Sequence, residues 1–466
     1  MSGETTAREL ALMALERFRR DGKNADEILD RLIKQHSPDA RESALGSRIF
    51  YVTLQNLYLC DFHIGAYSSV KPRKLEPKVL DILRISVSQI LFFDKVPDYA
   101  VADAAVNLCR KLRYQRAAGL VNAVLRRVAA DKGRLPSGHG TVEYLSVRYS
   151  TPLWLVNEYV NRIGSEETEK LLEANNAETP ITAQVNLLKT DTENLLRLLL
   201  DAEISVVEHP WLQDAVELKS AGNVTELPGF TDGLFYIQDA AARLTVIAAG
   251  IQPGQRVLDV CAAPGGKSFA AAVDMRDRGE VVSCDISESR LRRVRSGAEM
   301  LGISIITTRQ MDARAPDAEF VDGFDAVIAD VPCSGLGVIR KKPDIRYKEP
   351  TEFDGLPETQ LEILEGAARC VKSGGVLVYS TCTTRQEENE SVVSAFLEKN
   401  DRFVLEDFWL SNLQKSNTGD FWLSNLQKNG NEDFGLLDEP KNGMITLWPQ
   451  RHGTDGFFIC KMRKKI

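Results

Sequence analysis

Apolar positions along residues 5–130 recur with the spacing of one helical face. In "TARELALMALERFRR", Leu10, Met13, Ala14 and Phe18 fall on one stripe, and Thr5 or Thr6 can cap its first turn. "LGSRIFYVTLQNLYLCDFHIGAY", "EPKVLDILRISVSQILFF", "VADAAVNLCRKL" and "QRAAGLVNAVLRRVAAD" repeat the spacing, which predicts an all-helical unit over 1–132. The Gly/Pro/Ser-rich "DKGRLPSGHGT" then breaks the pattern and serves as a linker. Residues 141–232 mix helical stretches such as "TPLWLVNEYVNRIG" with short extended ones such as "ITAQVNLL" and "ISVVEH", a small α+β connector. The third unit, 233–466, alternates strands ("RVLDVC", "EVVSCDI", "SIITTRQ", "FDAVIAD", "GVLVYST") with helices ("GGKSFAAAVDMRD", "SESRLRRVRSGAEMLG", "ETQLEILEGAARCVKSG"). That beat predicts a Rossmann-like α/β unit, a parallel sheet covered on both faces, with ligands at the carboxyl ends of its strands.

Composition leaves this multidomain picture intact. With 43% hydrophobic and 27% charged residues, the chain has an ordinary globular balance. Its longest apolar runs fall far short of the roughly 20 residues of a membrane span. The polar start "MSGETTAREL" has no signal-peptide pattern, so a cytoplasmic protein that engages no membrane is expected. Eight cysteines never form a C-x-x-C pair or a Cys/His cluster, which argues against structural zinc, any other metal site and a disulfide framework. The net charge of −8 is uneven: residues 1–140 carry 23 Lys/Arg against 16 Asp/Glu. A basic N-terminal unit on an acidic body suits a polyanionic partner.

The candidate chemistry lies in the third unit. "RVLDVCAAPGGKS" is a strand, a glycine turn and the start of a helix, where Gly265 and Gly266 allow close approach to a ligand and free amides favour an acceptor-rich one. Asp285, 20 residues after Gly265, ends the second strand, where a carboxylate can take both ribose hydroxyls of an adenosine cofactor. Neither G-x-G-x-x-G nor the P-loop pattern is present, which weakens an NAD-dependent oxidoreductase. Asp259, Asp285, Asp312 and Asp330, at or near the ends of the first four strands, would repel a pyrophosphate and suit the sulfonium of S-adenosylmethionine.

Two thiols stand at the mouths of neighbouring strands, Cys333 in "DVPCSGLG" and Cys382 in "YSTCTT". A thiolate adding to C6 of a cytosine makes the poorly nucleophilic C5 an enamine carbon able to take a methyl group, and a carboxyl group near N3 eases the addition. Spacing alone does not say which thiol attacks. "IRKKPDIR" offers Arg340, Lys341, Lys342 and Arg346 to an RNA backbone directly after this turn, and a base within a helix would have to be unstacked to enter.

"VPDYAVADAAVNLCRKL" followed by "AAGLVNAVLRRVA" resembles the last two helices of the NusB family of RNA-binding domains. This implies RNA contact through a basic face with Arg110, Lys111, Arg113, Arg116, Arg126 and Arg127. "DVCAAPGGK", "DVPCSGLG" and "STCT" together resemble the RNA 5-methylcytosine methyltransferase family. The resemblance implies a class I methyltransferase domain that uses S-adenosylmethionine to methylate a cytosine of 16S ribosomal RNA as a monomer. It makes Cys382 the nucleophile and gives Cys333 a part in product release. It assigns Cys261, Ala262, Ala263, Pro264, Gly265, Gly266 and Lys267 to the cofactor loop. Asp285 would bind the ribose, Asp312 the adenine side, and Asp330 would face both methionine and cytosine, with Lys267 supporting the carboxylates. Ser268 stands where threonine is common in that family, and the repeat "DFWLSNLQK" at 407–415 and 420–428 is foreign to its pattern. The rival reading is a non-catalytic NusB-like RNA-binding or antitermination factor, against which the intact cysteines and cofactor loop count.

Overall fold

The computed structural model describes residues 5–22, 24–179, 181–219, 222–408 and 442–466, and the repeat lies outside them beyond residue 408. The chain divides into two compact units, Met1–Ala177 with Ile339–Pro350, and Glu178–Val338 with Thr351–Ile466. Among the described residues no helix is long and apolar enough to cross a membrane.

The first unit is helical. Its helix Ala7–Asp21 opens on a capping box, the Thr6 hydroxyl accepting from the Glu9 amide and the Glu9 carboxylate from the Thr6 amide. Leu10 and Ala14 of the predicted stripe are fully buried, while Met13 and Phe18 pack on the same core from partly exposed positions. Helices Ala25–His36, Ala40–Gln55, Leu57–Tyr67, Pro77–Phe92, Asp98–Lys111 and Ala118–Ala130 complete the bundle. The stretch that periodicity runs as one helix through residue 67 is broken at Asn56. There the Ser150 hydroxyl accepts from the amides of Tyr58 and Leu59 and caps the second piece. Helices Val142–Arg148, Leu153–Ile163 and Ser165–Ala174 belong to this unit as well.

The six basic residues assigned to an RNA face are exposed. Lys111 pairs with Glu9, and Arg127 donates to the Tyr67 carbonyl at 3.3 Å. Arg346 departs from expectation. It belongs to the helical unit, is only 1% exposed, and donates to the carbonyls of Gln55 (3.2 Å) and Tyr149 (3.0 Å) and to Asn176 Oδ1 (2.9 Å). Its guanidinium satisfies buried carbonyls and is not available to a phosphate. Lys341 and Lys342, in the same segment, are exposed.

The second unit holds two sheets. The smaller, antiparallel, has the order β2-β3-β1-β4, with β1 at Ile181–Val185, β2 at Val206–Glu208, β3 at Ala215–Leu218 and β4 at Phe235–Ile237. Helix Thr192–Asp201 buries Leu195 and Leu199 against it. The larger sheet contains β5 (Arg256–Asp259), β6 (Glu280–Asp285), β7 (Ile306–Gln310), β8 (Phe324–Asp330), β9 (Val371–Thr381), β10 (Phe403–Leu405), β11 (Met444–Leu447) and β12 (Phe457–Lys464). Its order is β10-β12-β9-β8-β5-β6-β7, with β11 on β12. The five expected strands, β5 to β9, run parallel, with apolar side chains packed on both faces. β12 pairs antiparallel with β9, so the sheet is mixed. β11 and β12 are themselves an antiparallel pair, joined by fewer residues than the dozen or so a parallel crossover requires.

Candidate active site

Strand order places the chemistry. β5 lies between β8 and β6, and β9 flanks β8, so the loops leaving β5, β8 and β9 open at one edge. Asp259, Asp285 and Asp330 are the last residues of β5, β6 and β8, and Asp312 lies two residues past β7.

The loop after β5 leads into helix Gly266–Asp274. Gly265 has φ +120°, and a Cβ there would lie 2.4 Å from the Phe269 ring. The loop therefore keeps bare backbone next to the first amides of the helix, a cradle suited to an acceptor-rich ligand. Beneath it, Ser283 Oγ donates to Ser268 Oγ and Ser268 Oγ to Asp259 Oδ2, each at 2.8 Å. The hydroxyl that this bond needs is what a serine shares with the family's threonine.

Asp259 is fully buried, and Oδ1 has no hydrogen-bond partner. Burial raises its pKa to about 7, against the opposing bond from Ser268 and the charge of Lys267. Because the folded value lies above the unfolded one, the stability carried by the neutral acid is complete below about pH 4 and is lost as pH rises through about 7. Asp259→Asn removes this titration. Its unfolding free energy is expected to fall less than the parent's between about pH 5 and pH 8, by a few kcal/mol at most. Denaturant titrations at a series of pH values check this, and parallel curves would count against a raised Asp259 pKa.

Asp285 is 3% exposed and accepts from the Ser287 amide through Oδ1 at 2.9 Å, with Arg290 3.6 Å away. Asp312 is differently placed. It is part-exposed, and its carboxylate is gripped by Arg314, with Nη2 to Oδ2 at 2.7 Å. Hydrogen bonds from Arg314 hold its pKa below the usual carboxylate range. An exposed pair of this kind is worth at most about 1 kcal/mol, so a ligand can displace it.

Asp330 sits at the centre of the crevice. Oδ1 accepts from Ser380 Oγ at 2.8 Å and Oδ2 from Lys267 Nζ at 2.7 Å. The strand register sets the first contact, since Asp330 pairs with Ser380 between β8 and β9. Lys267 Nζ also lies 5.4 Å from the centre of the Phe457 ring. Burial works against the ammonium, but the charge and hydrogen bond of Asp330 outweigh it and hold the Lys267 pKa above its ordinary value.

The β8–β9 pairing also brings the thiols together, Cys333 Sγ and Cys382 Sγ lying 3.3 Å apart. Their loops are interlocked. The Gly337 amide donates to the Cys382 carbonyl (3.0 Å), and the Gly456 amide to the Gly337 carbonyl (2.8 Å). A Cβ on Gly337 would meet that neighbouring backbone at 1.8 Å. The hydrogen bond to Cys382, then burial, then the charges of Cys382 and Glu388 push the Cys333 thiol well above its ordinary pKa. Cys261, pushed up by burial and by Asp259, Asp330 and Asp285, stays a thiol. Gln360 and Glu388 also build this site, although no sequence motif marked them, and so does Ser380, the serine of "STCT". Among the described residues no cluster of His, Cys, Asp or Glu could hold a metal ion.

Family models match the chain as "16S rRNA methyltransferase RsmB/F" over residues 246–463, as the NusB family over 5–130, and as the RsmF/B-like ferredoxin-like domain over 151–225. A probable ribosomal RNA small subunit methyltransferase B of Bacillus subtilis is 34% identical over 99% of both chains. The chain belongs to the RsmB/F family of 16S rRNA methyltransferases. The solved structure of PH0851 is similar over 100% of both chains, with 26% identity and a TM-score of 0.76. NSun6 from Pyrococcus horikoshii, solved with SFG, shares the fold at 22% identity, covering 67% of this chain and 98% of its own with a TM-score of 0.55. RsmB/F membership makes the chain an rRNA methyltransferase with S-adenosylmethionine as cofactor.

Proposed function

We propose that the protein methylates carbon 5 of a cytosine in 16S ribosomal RNA through a covalent adduct on Cys382, as a cytoplasmic monomer. The contact between Cys333 and Cys382, made beside the Lys267–Asp330 pair, carries this reading. The loop 261–267 and Asp285 would hold the cofactor, and Asp312 would take its adenine side once Arg314 yields. The cradle at Gly265 and the carboxylates at the strand ends fit such a ligand. When bound, S-adenosylmethionine supplies an electrophilic methyl group to C5 and leaves as the neutral thioether.

The residues of the chain do the rest. The Cys382 thiolate bonds to C6, and the displaced electron pair moves towards N3, where the Lys267–Asp330 pair supplies a proton. Once the Cys382 sulfur is a neutral thioether, its hydrogen bond with the Cys333 thiol proton weakens. Cys333 loses that proton to solvent and becomes the base. It takes the proton from C5, the C5–C6 double bond reforms, the Cys382 thiolate is expelled, and N3 returns its proton to the Lys267–Asp330 pair. The exposed basic face of the helical unit would hold the surrounding RNA.

Incubating the protein with 16S rRNA and methyl-labelled S-adenosylmethionine is expected to place label in 5-methylcytosine after nuclease digestion. Label in any other nucleoside, or in none, would overturn the proposal. Mapping modified cytosines in cells with and without the protein then identifies the target.

A further inference from the structure

We infer that Glu388 is a positioning residue for Cys333, fixing the loop and the electrostatic setting from which that thiol completes product release. This rests on the proposed release role of Cys333. Glu388 ends the short 3-10 turn Gln386–Glu388 that comes after the Cys382 loop, and it is fully buried. Its Oε2 accepts from the Ser334 amide at 2.8 Å and from Gln360 Nε2 at 2.9 Å, while the same Gln360 nitrogen donates to the Pro332 carbonyl at 2.9 Å. The residues on either side of Cys333 are thus pinned by one Gln–Glu pair. Ser334 extends the hold to the other thiol, donating to Thr383 Oγ1 at 2.8 Å, and Asn389 Nδ2 donates to the Thr383 carbonyl at 3.0 Å.

A fully buried carboxylate is a costly way to hold the Ser334 amide and Gln360 Nε2, since a neutral acceptor would serve without the desolvation penalty. Its Oε1 has no hydrogen-bond partner, and the cation beside it, Arg385, is 3.8 Å away. What the charge adds is its field on Cys333, which strengthens that thiol as a base once deprotonated. The other titratable groups facing Cys333 are Cys382 and Tyr379, and burial holds the Tyr379 phenol well above its ordinary range and neutral.

The test monitors covalent protein–RNA complex and methylated product over time, with full-length protein, 16S rRNA and S-adenosylmethionine. Glu388→Ala should form the complex but release it about ten- to a hundredfold more slowly. Glu388→Gln keeps an acceptor for Ser334 and should release faster than Glu388→Ala. Removing a negative charge lowers a neighbouring thiol's pKa, so in Glu388→Gln the acid limb of the release rate should move to lower pH, which a purely structural residue would not cause. If Glu388→Ala does not fold, judged by its thermal melt, the pH profile of Glu388→Gln decides. Cys333→Ala, run alongside, separates the two claims. If it accumulates no complex, the release role of Cys333 fails. If it does, while Glu388→Gln keeps the parental pH profile or Glu388→Ala releases at the parental rate, the inference about Glu388 is overturned.

Discussion

Replacing Cys382 by alanine is expected to abolish methyl transfer and leave no covalent protein–RNA complex, while Cys333→Ala is expected to accumulate that complex. The sulfurs are only 3.3 Å apart, so position hardly distinguishes them. The resemblance of "STCT" to the RNA 5-methylcytosine methyltransferase family does, implying that its cysteine attacks. That cysteine is Cys382. Without it no sulfur activates C5, and turnover should fall on the order of a thousandfold or more, as when other covalent nucleophiles are removed. Without Cys333 the first bond still forms, but no base takes the C5 proton. Denaturing gels of protein incubated with 16S rRNA and cofactor read both outcomes. A complex formed by Cys382→Ala and missing from Cys333→Ala would reverse the roles.

Asp330 and Cys382 were legible in the sequence because each lies where an apolar run meets turn residues, and alternating strands and helices put those ends at one edge of a sheet. The closeness of the two thiols needed one more fact, that β8 and β9 are neighbours. Strand direction was less accessible, since side-chain alternation is the same in either sense and β12 proved antiparallel. Glu388 was not legible, because the polar stretch "TRQEENE" has the pattern of a solvated surface and only tertiary packing buries it, and Gln360 was one polar residue on a helix whose burial likewise comes from packing. Arg346 failed for the opposite reason. A short excursion of the chain carries it out of the catalytic unit into the helical one, and nothing local in "IRKKPDIR" separates it from its exposed neighbours. The break at Asn56 was invisible because asparagine is only mildly unfavourable within a helix, and its cap comes from Ser150, far along the chain.

Asp330→Asn is expected to lower the rate of adduct formation by about 10²- to 10⁴-fold, the usual range for losing a positioned proton donor. The amide keeps the shape of the carboxylate and can still accept from Ser380, but it cannot pass a proton from Lys267 to N3. It also leaves the largely buried ammonium without its counter-charge, which costs roughly 2 kcal/mol of stability. Lys267→Met makes the complementary change, keeping an apolar stem beside Phe457 and stripping Asp330 of its cation. Combining the two removes both charges, so the double variant should recover much of the stability lost by either single one while remaining inactive. Thermal melts and rapid-quench measurement of the covalent complex separate these effects. Recovery of activity in the double variant would mean that the pair serves folding and that the proton at N3 has another source. If the charge at the end of β8 is kept for the chemistry, the double variant regains its stability and stays unable to form the adduct.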